Sequence, residues 1–274
     1  MKKYLGQHFL NNQKAIDDIV EAVCVARGDV IIEIGPGTGA LTKPLAELCE
    51  KRGAKLFAIE KDAKLVIDIQ KEVSFLENRV EHGDALEILP RLVSRYNLQT
   101  TTYKLIGNIP YYITGQLLRV ISELEYKPAK TVLMIQKEVA ERVSGNARKG
   151  SMNLLAAATQ YWGDVKVLFT LKPQDFTPPP EVSSAVIAIT PRLNLQPTTY
   201  NLQPSAYYQF IRAAFKQPRK TLLNNLAEGF PDLTRDKITD LMSKNGLVLT
   251  TRAQDLNVPD LERLASLFEA SKSA

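Results

Sequence analysis

Cysteine and histidine are scarce in this chain: 274 residues hold two of each, Cys24 and Cys49, His8 and His82. Two thiols make no disulfide framework, and so few scattered soft ligands make no zinc site, so no metal is expected. Tryptophan occurs once. No run of about 18 apolar residues exists, which excludes a transmembrane helix. The start, Met1-Lys2-Lys3-Tyr4, leads into no apolar h-region and does not read as a secretory signal. A reducing cytoplasm is the expected compartment. Internal repeats and low-complexity segments are absent as well.

What is present is ordinary in amount and specific in placement. Apolar residues make up 45% and charged residues 24%, the composition of a globular protein. The length allows a full-sized core plus a smaller second domain. The net charge of +5 hints at a polyanionic partner. Three groups carry local positive charge: Lys2-Lys3, Arg148-Lys149, and Lys216 with Arg219-Lys220. Each reads equally as a solvated surface. Arg148-Lys149 sits in the glycine-bounded stretch Ser144–Gly150, a loop from which long cations can reach a phosphate backbone.

Hydrophobic periodicity organises the chain. Asn11 or Asn12 can cap a helix carrying Ile16, Ile19, Val20 and Val23, and Cys24 and Cys49 both fall in helical patterns. Strands are predicted at Val30–Ile34, Leu56–Ile59, Val80–His82, Tyr103–Gly107 and Thr131–Ile135, with helices among them, one from Asp62 to Phe75 and one capped by Thr114. Helices at Lys137–Val143 and Asn153–Trp162 come next. Val165–Phe169 and Val182–Thr190 then read as strands with no helix between them, a break in the alternation that permits an antiparallel pair at one edge. The sum is an α/β fold: a seven-stranded, mostly parallel sheet, followed by a small all-α C-terminal domain. The expected boundaries are 1–191 for the sheet domain, 192–204 for a proline-containing linker and 205–274 for the helical domain.

Three strand ends carry chemistry. Gly35-Pro36-Gly37-Thr38-Gly39-Ala40 follows the first strand, and such glycines let a backbone turn sharply and approach a ligand. The string also satisfies the dinucleotide pattern, so alone it leaves a nicotinamide cofactor, another adenosine cofactor and a plain tight turn all open. Glu60 ends the second strand, where a carboxylate can take both hydrogen bonds of a ribose diol. Asp84 follows the third, where it can accept from an adenine amine. Either acid also reads as a helix cap or a surface charge.

Asn108-Ile109-Pro110-Tyr111 ends the fourth strand. The Asn108 amide oxygen can accept one N–H. Pro110 restricts the backbone of Ile109 and can hold its carbonyl alongside. The Tyr111 ring offers a flat base a stacking face. A proline turn with a capping Asn and a half-buried Tyr fits these four residues equally well.

Taken in order, the segments Gly6-Gln-His-Phe-Leu10, Glu33–Gly39, Ile59-Glu60, Gly83-Asp84-Ala85, Gly107–Tyr111, Gln136–Val139, Phe176-Thr-Pro-Pro-Pro180 with Val182–Val186, and Arg219-Lys-Thr221 match a family nearly end to end. The chain resembles the ribosomal RNA adenine N6,N6-dimethyltransferases of the 16S rRNA dimethyladenosine transferase type. The resemblance implies a class I (Rossmann-like) methyltransferase domain, S-adenosylmethionine as cofactor, and a helical C-terminal RNA-binding domain. It implies two adjacent adenosines in a hairpin near the 3′ end of small-subunit rRNA as substrate, each methylated twice, in a precursor of the small ribosomal subunit. A monomer is expected, although the sequence does not fix the oligomeric state. His8, Leu10, Gly35, Glu60, Asp84 and Asn108 would line the cofactor site; Asn108, Tyr111 and Phe176 would hold the adenine. Arg148, Lys149, Arg219 and Lys220 would touch RNA. His8 stands where the family often has Asn, and Pro218 where a further basic residue is common. Three rivals stand beside this reading: a 23S rRNA adenine methyltransferase of the antibiotic-resistance type, a nicotinamide dehydrogenase, and an RNA-binding assembly factor with little catalysis.

Overall fold

The computed structural model describes residues 8–96, 98, 102–145, 152–192 and 203–272. They form two compact units: Met1–Glu141 with Asp164–Pro191, and Arg142–Gly163 with Arg192–Ala274. The helix predicted at Asn153–Trp162 therefore belongs with the C-terminal helices, not with the sheet domain where the sequence reading placed it. Its apolar side chains decide this, because Ala156, Ala157 and Tyr161 complete the second unit's core. Of the expected linker, 193–202 lies outside the described residues.

In the first unit, strands β2 (Val30–Ile34), β3 (Lys55–Glu60), β4 (Val80–His82), β5 (Tyr103–Asn108), β6 (Lys130–Gln136), β7 (Gly163–Leu171) and β9 (Ser184–Pro191) form one sheet in the order β4-β3-β2-β5-β6-β9-β7. The pairs β2 with β3, β2 with β5, β3 with β4 and β5 with β6 are parallel, whereas β6 and β9 are antiparallel. The antiparallel strand thus enters beside β6, one place inside the edge. A second, two-stranded ladder pairs β1 (Phe9–Leu10) with β8 (Phe176–Thr177). Both strands are too short to leave a periodic signal in the sequence.

β2 is buried along its whole length, as expected of a parallel strand covered on both faces. Ile31 packs with Ile16, Leu45 and Leu56 in one core cluster, and Ile32 and Ile34 are buried on the opposite face. The helices of this unit are α1 (Gln13–Ala22), α2 (Thr42–Arg52), α3 (Ala63–Glu72), α4 (Ala85–Arg95), α5 (Thr114–Glu123) and α6 (Lys137–Ser144), the last running across the boundary between units. Asn12 caps α1 by accepting from the N–H of Ala15, and Asp62 caps α3 through Lys64. α1 stops at Ala22, so Cys24 lies beyond it with φ 54°. Thr114 opens α5 without capping it: its hydroxyl is buried and finds no partner among the described residues.

The second unit packs α7 (Leu154–Trp162), α8 (Pro204–Ala214), α9 (Leu222–Gly229), α10 (Arg235–Lys244) and α11 (Val258–Lys272) around Tyr161, Tyr207, Phe210, Leu226 and Phe268. Tyr161 and Tyr207 stack with ring centroids 3.9 Å apart.

Candidate active site

The strand order reverses at β2: the chain passes from β2 to β3 on one side and returns to β5 on the other. In open α/β sheets that switch point, at the carboxyl ends of the strands, is where ligands bind. Here Ile34 is in register with both Ile59 and Gly107, so Gly35, Glu60 and Asn108 emerge side by side. A cavity opens there, lined by His8, Leu10, Gly35, Glu60, Asp84, Asn108 and Tyr111 among others. The predicted strand-end residues thus converge in space.

Close approach of backbones shapes the site. A Cβ on Gly107 would sit 2.5 Å from the Ile34 carbonyl oxygen, so β5 can lie against β2 only with glycine there. Gly35 and Gly37 have φ of 69° and 57°, the left-handed region, which bends the loop back over the strand end. Glu60 holds that loop: its Oε2 accepts the N–H of Gly37 at 3.1 Å and its Oε1 the N–H of Asp62 at 2.9 Å. A carboxylate has about four lone-pair sites, so each oxygen keeps capacity for a ligand.

Glu33 lines the same cavity and is almost fully buried, and its Oε2 has no partner among the described residues. Burial pushes its carboxyl up to about 8; the nearby Thr42 hydroxyl opposes the rise and the charge of Glu60 adds to it. An acid in the otherwise apolar run Val30-Ile-Ile-Glu-Ile34 was the sequence signal for this residue, which reads at first as part of a strand. Asp84 caps α4 through the N–H of Leu86 and pairs with Lys61 at 2.8 Å. The Lys61 ammonium holds the Asp84 carboxyl below its usual range. Asp84 is therefore both a cap and a cavity acid.

The Asn108 amide nitrogen donates to the His8 carbonyl at 2.8 Å. Its oxygen accepts nothing among the described residues, and the residue lines the cavity. The Tyr111 hydroxyl shares a hydrogen bond of 2.8 Å with Ser184, and burial raises its pKa. The His8 imidazole lies over the Tyr111 ring, with centroids 5.9 Å apart, and its Nδ1 donates to the Pro178 carbonyl.

Phe176 departs from expectation. It is 3% exposed, packed in the core cluster with Leu10 and Val186, and does not line the cavity. It pairs with Leu10 in the β1–β8 ladder, directly behind a residue that does line the cavity. Arg148 and Lys149 lie outside the described residues. Lys220 is tied to Glu228 at 3.4 Å, as is Lys216 at 2.7 Å, while Arg219 makes no ion pair among the described residues. No group of His, Cys, Asp and Glu among the described residues could hold a metal ion, and no described helix is long and apolar enough to cross a membrane.

The profile of a family described as ribosomal RNA adenine dimethylase matches residues 1–269. A curated relative from Dehalococcoides mccartyi, named ribosomal RNA small subunit methyltransferase A, is 34% identical over 97% of this chain and 88% of its own length. Among solved structures, a dimethyladenosine transferase from Plasmodium falciparum superposes with a TM-score of 0.74 at 23% identity, covering 97% of this chain and 98% of the other. The 23S rRNA methyltransferase ErmE shares the fold at a TM-score of 0.65 and 20% identity, over 95% and 99% of the two chains.

Proposed function

This chain belongs to the ribosomal RNA adenine dimethylase family, and on that premise we propose that it uses S-adenosylmethionine to dimethylate N6 of two adjacent adenosines in the hairpin near the 3′ end of small-subunit rRNA. The substrate is a precursor of the small ribosomal subunit, met in the cytoplasm. The acting form in this proposal is a monomer.

The cavity fits the cofactor. S-adenosylmethionine, when bound, supplies a methyl group on a positively charged sulfur. The Cβ-free backbone at Gly35 and Gly37 admits a close ligand, Glu60 keeps free lone pairs for a ribose diol, and the partnerless Glu33 Oε2 is a polar atom the protein leaves unsatisfied. Asp84, at the next strand end, would accept from an adenine amine. His8, Leu10 and Gly35 supply walls.

The single observation that carries the reading is the state of the Asn108 amide. Its donor half is used by the His8 carbonyl, its acceptor half has no partner among the described residues, and the residue lines the cavity. Adenine N6 is a weak nucleophile because its lone pair is delocalised into the ring. Asn108 Oδ1 and the Ile109 carbonyl, accepting the two N6–H groups, favour a pyramidal nitrogen with its lone pair free. Tyr111 gives the base a face and Ser184 holds that ring by its hydroxyl. Asn108 has no ionisable group, so it orients and polarises the amine without acting as a strong base. The adenosine must leave its stack to enter the cavity.

Incubation with labelled S-adenosylmethionine and under-methylated small subunits, followed by mapping of the modified nucleotides, tests the reading. Dimethyladenosine at two neighbouring positions of the small-subunit hairpin supports it. Label in 23S rRNA favours the resistance-type rival, and binding without transfer favours the assembly factor. Binding of NADH in place of S-adenosylhomocysteine favours the dehydrogenase.

A further inference from the structure

We propose that the N-terminal strap His8–Asn12 is a positioning device for the Asn108 amide, held in place by the segment Asp175–Pro178. The inference rests on the reading of Asn108 as the group that orients the target amine.

An asparagine side chain is nearly symmetric in shape, and its oxygen and nitrogen have opposite roles. Turned one way, Asn108 presents an acceptor to an amine; turned the other, it presents a donor that repels N6–H. Among the described residues one protein atom breaks this symmetry, the backbone carbonyl of His8, which accepts from Nδ2 at 2.8 Å. A carbonyl cannot donate, so it admits the nitrogen and rejects the oxygen. The backbone of Asn108 is fixed separately, by the ladder to β6 and by the bond from the Ile109 N–H to Met134. What remains free is the amide rotation, and the strap removes it.

The strap is itself fixed away from the cavity. Leu10 pairs with Phe176 and Phe9 with Thr177 in the β1–β8 ladder. The Asn11 N–H donates to the Asp175 carbonyl, and the Asn11 amide to the Thr177 hydroxyl, both at 2.9 Å. Asn12 reaches the Asp175 carboxylate at 2.9 Å, and the His8 ring reaches the Pro178 carbonyl. The side-chain bonds at Asn11 and Thr177 are exposed and contribute nothing to the cavity wall. Their geometric effect is to set where the His8 carbonyl stands.

Two variants test this. Asn108→Asp keeps an acceptor oxygen towards the cavity but sets a second oxygen against the His8 carbonyl. The strap should lift: amide exchange in residues 9–11 should speed up, and the His8 carbonyl carbon should shift. Labelled histidine carbonyl gives two signals, because the chain has two histidines, and His82→Gln assigns them. Thr177→Val removes one side-chain anchor of the strap, the bond from Asn11, while Thr177→Ser keeps it. The valine variant should lose roughly tenfold or more in kcat at unchanged Tm, and the serine variant should match the wild type. A full-rate Thr177→Val, or an Asn108→Asp protein whose exchange and His8 signal are unaltered, overturns the proposal. A wild-type protein that methylates no adenosine would end the functional reading, while the exchange and carbonyl measurements would still report on the strap.

Discussion

Glu60 and Gly37 stand at the ends of neighbouring strands, and the Glu60 Oε2 accepts the Gly37 N–H at 3.1 Å. One carboxylate therefore both fixes the glycine loop and faces the cavity that the loop bounds. Replacing Glu60 by alanine should remove a charge-assisted contact worth about 1.5–3 kcal/mol from cofactor binding and leave RNA binding close to wild type. Titration calorimetry with S-adenosylhomocysteine checks the first, and a filter-binding assay the second. Unchanged cofactor affinity in a folded variant would remove Glu60 from the site.

Asn108→Ala should leave the fold and RNA affinity intact and nearly abolish transfer. The second methylation should suffer at least as much as the first, because a monomethylated amine has one N–H left to orient. Mass spectrometry of digested rRNA over a single-turnover series should show residual product biased to monomethyladenosine. Dimethyladenosine at the wild-type rate would make Asn108 a structural residue.

Burial raises the Glu33 carboxyl to about 8, so the folded protein keeps a proton that the unfolded chain loses above its ordinary value of 4.5. The folded state then binds more protons between those two limits, and stability falls as pH rises through the window. The slope from this one group is at most about 1.4 kcal/mol per pH unit. Glu33→Gln should flatten it, so that the difference between variant and wild type in urea titrations grows from pH 5 to pH 8 in favour of the variant. Parallel curves would show that Glu33 is ionised in the fold.

Lys216 and Lys220 both pair with Glu228, whereas Arg219 stays free among the described residues. Arg219→Ala should weaken RNA binding and flatten the dependence of log affinity on log salt more than Lys220→Ala does. Glu228→Gln should strengthen binding by releasing two cations. Equal slopes for all three variants and the wild type would make this face a solvated surface.

Residue type and spacing made much of this molecule legible before any coordinates. Val30–Ile34 reads as a strand because five consecutive apolar or buried positions leave no other choice, and Asn12 and Asp62 mark helix starts by their side-chain chemistry. Gly35, Glu60, Asp84 and Asn108 were placed together by the topology rule for strand ends, and the register bears that placement out. Long-range and two-residue features were not legible. β1 and β8 have no period to detect, so the ladder that pairs Leu10 with Phe176 could not be foreseen. α4 carries Pro90 within its span, which disguises a helix otherwise well patterned by Leu86, Leu89 and Val93. The partners of Lys220 and Tyr111 lie 8 and 73 residues away, beyond any local pattern.

The helix α7 draws its neighbours from a part of the chain that follows it by about fifty residues, as its Tyr161 against Tyr207 illustrates. No single cut therefore divides the protein into two self-sufficient pieces. A fragment beginning at 205 would lack Met152, Ala156, Ala157 and Tyr161 and would leave a wet hole where they belong. Recombination meets the same obstacle: a helical unit borrowed from another gene has to bring two stretches of sequence, and each must land in its own gap. The C-terminal unit is thus inherited with the sheet that interrupts it.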